Sequence, residues 1–284
     1  MAVAQLQKTE NPKKELDFAN VSTPPLLDRF EAKYVIPYSM VEPIVEFVKP
    51  YCSHDKYSAI SPDSYYKVNS LYFDTPDFLF LRQRLRRAEK RFNMRIRGYG
   101  DNPQFPYFFE IKNRIGDVVR KMRAIVNNED FEKYFSMDPY KLPEAEDAKN
   151  RDKCINFYQT VNTYNARPVV LVQYRRRAFF SNYEEYARVT FDIDLRYMEP
   201  PENSFHPVPI EEKMSFCDNQ ADFECGTYVI LELKCYTSFV PLWMIDLVRK
   251  FSLKRRGFSK YSTCLKPLFL KYSDDGLYRN PVKI

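Results

Sequence analysis

The stretch Arg91-Phe92-Asn93-Met94-Arg95-Ile96-Arg97 alternates between polar, mostly cationic side chains and apolar ones. Successive side chains of a strand point to opposite faces, so this stretch reads as a β-strand with one charged and one apolar face. The same division recurs outward along the chain. Arg29-Phe30-Glu31-Ala32-Lys33-Tyr34-Val35 puts Arg29, Glu31 and Lys33 on one face and Phe30, Ala32 and Tyr34 on the other. Glu110 and Lys112 alternate with Phe109 and Ile111, and Glu232 and Lys234 with Leu231 and Leu233. Arg188, Thr190, Asp192 and Asp194 alternate with Val189, Phe191, Ile193 and Leu195.

β-Branched and aromatic enrichment with this alternation predicts eight strands, at 29–36, 66–74, 90–100, 106–114, 118–126, 168–180, 186–195 and 227–236. Strands that are mostly neighbours in sequence favour antiparallel meanders able to close into a barrel. Helical periodicity marks 39–49, 77–86, 128–136, 146–164, 240–251 and 261–271, with no regular βαβ rhythm. The expected fold is therefore α+β, an eight-stranded antiparallel barrel covered by helices. Residues 1–26 read as a mobile polar arm, 27–272 as the folded domain, with 196–224 a long connection within it, and 273–284 as a tail.

Taken one strand at a time, the alternation is that of any half-buried sheet with its polar face in water. Two features together point the other way. The amphipathic helices must cover something apolar, which turns the apolar face of the sheet outward and its charged face into a lumen. Three of the charged rows also mix Arg or Lys with Glu at a spacing of two. Burying unpaired charge costs several kcal/mol per ion, so such a lumen calls for water or an anionic guest. At ~4 Å in an effective dielectric of ~20, one Arg–phosphate contact gains ~4 kcal/mol before desolvation. Arginine suits that task because its planar fork grips phosphate oxygens in pairs.

Composition narrows the chemistry. None of the six glycines falls into a G-x-G-x-x-G or G-x-x-x-x-G-K-[ST] pattern, so a glycine-cradled nucleotide site is excluded. Two histidines, His54 and His206, are too few for a histidine metal site, and six cysteines without a C-x-x-C pair argue against zinc. Free thiols in a reducing cytoplasm are the expectation. The longest uncharged apolar stretch, Thr237 to Ile245, is far short of the ~20 residues of a spanning helix, so any membrane association is expected through a partner. The formal net charge of +6 agrees with an anionic ligand.

Seven ordered segments carry a family resemblance: Arg29-Phe30-Glu31-Ala32-Lys33-Tyr34, Ser70-Leu71-Tyr72-Phe73-Asp74-Thr75, Arg95-Ile96-Arg97, Phe109-Glu110-Ile111-Lys112, Tyr174-Arg175-Arg176-Arg177-Ala178-Phe179, Leu231-Glu232-Leu233-Lys234 and Phe258-Ser259-Lys260. In these the chain, over about 28–272, resembles the VTC-domain polyphosphate polymerases of the triphosphate tunnel metalloenzyme (CYTH-like) superfamily. The resemblance implies an eight-stranded tunnel and transfer of the ATP γ-phosphoryl group to a growing polyphosphate end. By the same resemblance Lys33, Arg95, Arg97, Lys112 and Arg176 are the catalytic cations. Arg29, Lys121, Arg188, Lys234, Ser259 and Lys260 would bind substrate phosphates, and Glu232, with Glu110 and Glu31, would hold Mn²⁺ or Mg²⁺. ATP and polyphosphate or pyrophosphate are the implied partners, with no specific nucleic acid.

Arg29 stands where the hydrolase branches of that superfamily have the first glutamate of E-x-E-x-K, which favours the polymerase branch. Gly257 stands where VTC proteins often have lysine. Two other functions stay open: a tripolyphosphate or nucleoside triphosphate hydrolase of the same fold, and a non-catalytic module binding polyphosphate or RNA. RNA is disfavoured because the aromatics alternate to the face opposite the cations, whereas base stacking needs both on one face. Glu110 and Glu31 have the simpler alternative of pairing with neighbouring lysines, and Asp74 of capping the turn at Thr75-Pro76.

Overall fold

The computed structural model describes residues 29–115, 118–135, 147–217, 228–236 and 239–274. The expected N-terminal arm and most of the expected tail lie outside them. Ten strands form one antiparallel sheet: β1 (Arg29–Pro37), β2 (Cys52–His54), β3 (Tyr66–Asp74), β4 (Lys90–Tyr99), β5 (Tyr107–Ile115), β6 (Val118–Val126), β7 (Arg167–Ser181), β8 (Ala187–Met198), β9 (Ser215–Phe216) and β10 (Tyr228–Tyr236). The helices are α1 (Val41–Val48), α2 (Lys56–Ile60), α3 (Leu79–Leu85), α4 (Asn128–Phe135), α5 (Ala148–Thr163), α6 (Leu242–Lys250) and α7 (Lys260–Asp274). Every predicted strand is present. The sheet runs β1-β10-β8-β7-β3-β4-β5-β6, with β2 on the end of β7 and β9 on the end of β8.

The expected closed barrel is not formed, because among the described residues β1 and β6 share no ladder. Other groups occupy their edges. The Arg256 N–H donates to the Lys33 carbonyl at 3.0 Å and Arg255 bridges to Tyr34, so the segment after α6 lies along β1. On β6 the Asn150 side chain of α5 accepts from the Ile125 N–H at 2.8 Å and donates to its carbonyl at 2.7 Å, as a neighbouring strand would. Unpaired strand edges are commonly covered in this way. The sheet still curls far enough for Lys112 of β5 to reach Glu31 of β1 at 2.8 Å.

The apolar face packs outward against helices. Val41, Ile44, Val45 and Val48 form the buried stripe of α1, and with Trp243, Met244 and Leu247 of α6 they cover β1, β10 and β8. Phe131 and Tyr134 of α4 and Phe157 and Val161 of α5 cover Ile96, Phe109, Ile111 and Ala124. α7 packs elsewhere: its Tyr261, Cys264 and Leu265 join Val170, Val172, Tyr72 and Ile230, residues of the same facing rows as the charged groups. One side chain departs from the predicted rows. A register shift opposite Gln173–Arg175, with Asp194 at φ 52°, turns Asp194 into solvent, where it pairs with Arg175 at 3.2 Å.

Candidate functional site

The charged rows of β1, β4, β5, β6, β7, β8 and β10 meet on the concave face, and register decides which side chains meet. Arg95 sits directly opposite Glu110, and Glu110 opposite Arg123. Glu110 is buried and is the hub of one cluster. Its carboxylate lies 2.6 Å from Arg95, 3.7 Å from Arg97, 2.5 Å from Lys121 and 3.5 Å from Arg123. Gly98, between Arg97 and Tyr99, is required by close packing: a Cβ there would lie 2.6 Å from Pro103.

The second cluster forms around Glu232 on β10. Lys33 lies 3.2 Å from Glu232 and 3.3 Å from Glu31, and Lys234 lies 2.7 Å from Glu232. Lys112 reaches Glu31. Arg176 makes a two-pronged contact with Asp192, at 2.7 and 2.8 Å, and Lys260 donates to the same carboxylate at 2.6 Å. Arg176 and Lys260 also lie 3.9 and 3.6 Å from Glu232. Lys260 opens α7, where the helix dipole disfavours a cation, and these two carboxylates offset that. Ser259 accepts from the Ser262 N–H at 3.4 Å, so its hydroxyl caps α7.

Of the remaining expected site residues, Arg188 turns to Asp55, 3.4 Å away, and stacks on the Phe180 ring. Arg29 lies in β1, but its side chain is outside the described residues. Asp74 takes the capping role. Its carboxylate accepts from the Thr75, Phe80 and Leu81 N–H groups, capping α3, and from the Tyr261 hydroxyl of α7. Sequence reasoning assigned no role to Asp192, Arg123 or Tyr99. Asp192 stood in a charged row, but its partners follow only from the register.

Of the expected metal glutamates, Glu232 and Glu31 come together and Glu110 lies in the other cluster. Glu232 and Glu31 share Lys33, whereas Glu110 stands among its own four cations. Among the described residues no group of three His, Cys, Asp or Glu side chains converges. The donor set therefore suits a cation carried in by phosphate oxygens, for which one or two carboxylates suffice, better than an all-protein cage.

Electrostatically the cleft holds more positive than negative charge. In these two networks nine cations (Lys33, Arg95, Arg97, Lys112, Lys121, Arg123, Arg176, Lys234 and Lys260) face the four carboxylates of Glu31, Glu110, Asp192 and Glu232. Burial would raise the carboxyl pKa of Glu110 and Glu232, but the surrounding cations hold both well below the usual range. Lys121 shows the excess. Burial, together with Arg97, Arg123 and Arg95, pushes its ammonium well below the ordinary lysine range despite Glu110. Burial would likewise raise the Tyr99 phenol, yet Arg97 and Arg123 bring it down to about 8. Arg97 Nε and the hydroxyls of Ser70 and Thr190 are buried without a hydrogen-bond partner among the described residues. Unpartnered donors beside excess cations are what an oxyanion fills.

Residues 28–269 match the family described as VTC domain. Vacuolar transporter chaperone complex subunit 4 of Trypanosoma cruzi is 28% identical over 153 residues, and that of Trypanosoma brucei brucei 26% over 153 residues. Each match takes in 45% of this chain and 19% of the relative, so the chain corresponds to about a fifth of those proteins. Among solved structures, a putative adenylate cyclase from Bacillus halodurans aligns over 82% of this chain and 94% of its own, with a TM-score of 0.44 at 12% identity. A protein from Pyrococcus horikoshii aligns over 85% and 99%, with a TM-score of 0.42 at 12% identity.

Proposed function

The chain belongs to the VTC domain family, and from that premise we propose that it transfers the γ-phosphoryl group of ATP to the end of a growing polyphosphate chain, releasing ADP. The observation that carries the reading is the excess of five cations over carboxylates on the concave face, with Arg95, Arg97, Lys121 and Arg123 all directed at one buried glutamate. Phosphoryl transfer asks the protein for alignment and charge stabilisation more than for covalent chemistry. In this reading Lys33, Arg95, Arg97, Lys112 and Arg176 hold the transferring phosphoryl group. Arg29, Lys121, Arg188, Lys234, Ser259 and Lys260 align the rest of the phosphate chain. The acceptor end is already ionised at neutral pH, so no general base is required, in keeping with a chain that has only two histidines.

Glu232, with Glu31 on the other side of Lys33, is where a Mn²⁺ or Mg²⁺ ion borne on the triphosphate would meet carboxylate. Such an ion supplies neutralisation of the phosphate oxygens. Glu110, in the other cluster, is the remaining carboxylate such an ion could meet. We take the domain to work in the cytoplasm, where its buried free cysteines stay reduced. No helix among the described residues is long and apolar enough to cross a membrane, and any membrane attachment in this reading comes through a partner.

The test is incubation of the purified chain with ATP and Mn²⁺, with products resolved on a gel. A ladder of long polyphosphate is expected. Release of orthophosphate alone would replace the reading with hydrolysis, and no turnover with tight polyphosphate binding would leave a non-catalytic module. Arg95→Ala is expected to lower kcat/KM by about 10²–10³, the usual effect of removing one preorganised charge donor. Its melting temperature should stay close to the parent's, because Glu110 keeps three other cations.

A further inference from the structure

The ten residues from Arg82 to Arg91 carry six cations and one carboxylate. They form the end of α3, the turn after it and the start of β4. Arg91 lies directly opposite Arg114 in the β4–β5 ladder, one step along the concave face from the Asn93–Lys112 pair. Both facing rows thus end in arginine, although like charges opposite each other destabilise a ladder.

Arg84 of α3 joins this pair. Burial holds its guanidinium below the ordinary arginine range, and Arg91, Arg114 and Arg87 lower it further, with Glu31 acting the other way. Arg84 is half-buried and makes no ion pair among the described residues. Glu31 is already engaged by Lys33 and Lys112. Arg82, two residues before Arg84, is by contrast paired with Asp77. Elsewhere in the cleft cations gather around a carboxylate, whereas the neighbours that act most strongly on Arg84 are three further guanidiniums.

The geometry points to an anion-binding collar of Arg84, Arg87, Arg91 and Arg114, at the end of the cleft where β4 begins and β5 ends, that holds a linear condensed-phosphate chain beyond the transfer site. This rests on the reading that the cleft handles polyphosphate. Planar guanidiniums at a cleft mouth suit a chain with one charge per repeating phosphate, because each fork takes two oxygens. A chain long enough to occupy the inner cations and the collar together gains both sets of contacts, so the collar favours long chains over short ones.

Binding of long-chain polyphosphate, tripolyphosphate and a single-stranded RNA is measured without nucleotide, for the parent and for Arg84→Gln combined with Arg87→Asn. Asparagine is chosen because Arg87 has φ 54°, which it tolerates. Long-chain affinity should fall about tenfold, and the log–log salt slope should lessen by about 0.7 for each phosphate no longer gripped, as for other single-stranded polyanions. Tripolyphosphate affinity should fall less. Unchanged long-chain affinity overturns the proposal. So does an equal loss for tripolyphosphate, which would put these arginines in the inner site, or an equal loss for RNA, which would make them a general polyanion surface. Arg87→Asn alone, in an exposed turn, gives a milder version of the same test should the double variant fold poorly. Because no turnover is involved, the outcome is independent of the polymer assay. Synthesis with no chain-length effect removes the collar alone, and a chain-length effect without synthesis removes the catalytic reading alone.

Discussion

Tyr99 concentrates the electrostatics of the cleft in one side chain. Its hydroxyl accepts from Arg97 at 3.4 Å and from Arg123 at 3.2 Å, and those two cations bring its pKa down to about 8. Above that pH the phenolate becomes a built-in anion competing for both guanidiniums. Tripolyphosphate affinity is therefore expected to weaken as pH rises through about 8, and Tyr99→Phe to abolish that limb. Calorimetric titrations across the range would show it, and a parent profile as flat as the variant's would count against the competition. None of this was visible in Arg97-Gly98-Tyr99 as sequence. The charges of Glu110, Arg95 and Lys33 could be read from alternation, but the hub at Glu110 exists only because register sets Arg95 and Arg123 on either side of it.

At the scale of elements, period-two alternation made the eight long strands legible, and helical periodicity made α1 and α3–α7 legible. The missed elements, β2, β9 and α2, span three, two and five residues, too short for either period to register. Closure of the barrel was misread for a different reason. It depends on what occupies the two edges, and Asn150 and the Arg255–Arg256 segment give no signal of that use. α7 is fixed to the sheet by the buried Tyr261 hydroxyl donating to Asp74, which also caps α3. Hydrogen bonds to charged groups contribute ~1.5–3 kcal/mol, so Tyr261→Phe should lose about that much stability in urea. Because α7 presents Lys260, the substitution should also raise KM for the triphosphate. A stability loss with an unmoved KM would mean that the tie serves folding alone.

For the whole molecule, the depressed carboxyl pKa values of Glu31, Glu110, Asp192 and Glu232 set the response to acid. Their folded values lie below the unfolded ones of about 4. The stability they contribute is thus present above that pH and is lost as pH falls toward the folded values. Acid unfolding followed by circular dichroism should be cooperative below about pH 4. Tripolyphosphate, still anionic there, should shift the midpoint to lower pH by taking over as counter-ion. An unmoved midpoint would show that phosphate does not substitute for those carboxylates.

Because the cleft supplies some of its own counter-ions as tethered carboxylates, it resembles a partly loaded ion-exchange resin. Chloride or a single orthophosphate meets only one or two of the cations those carboxylates leave uncompensated, and so gains little. A ligand delivering several linked charges can replace several of those carboxylates at once, and the advantage compounds with each contact. Discrimination against abundant small anions then requires no steric filter, since it follows from valence.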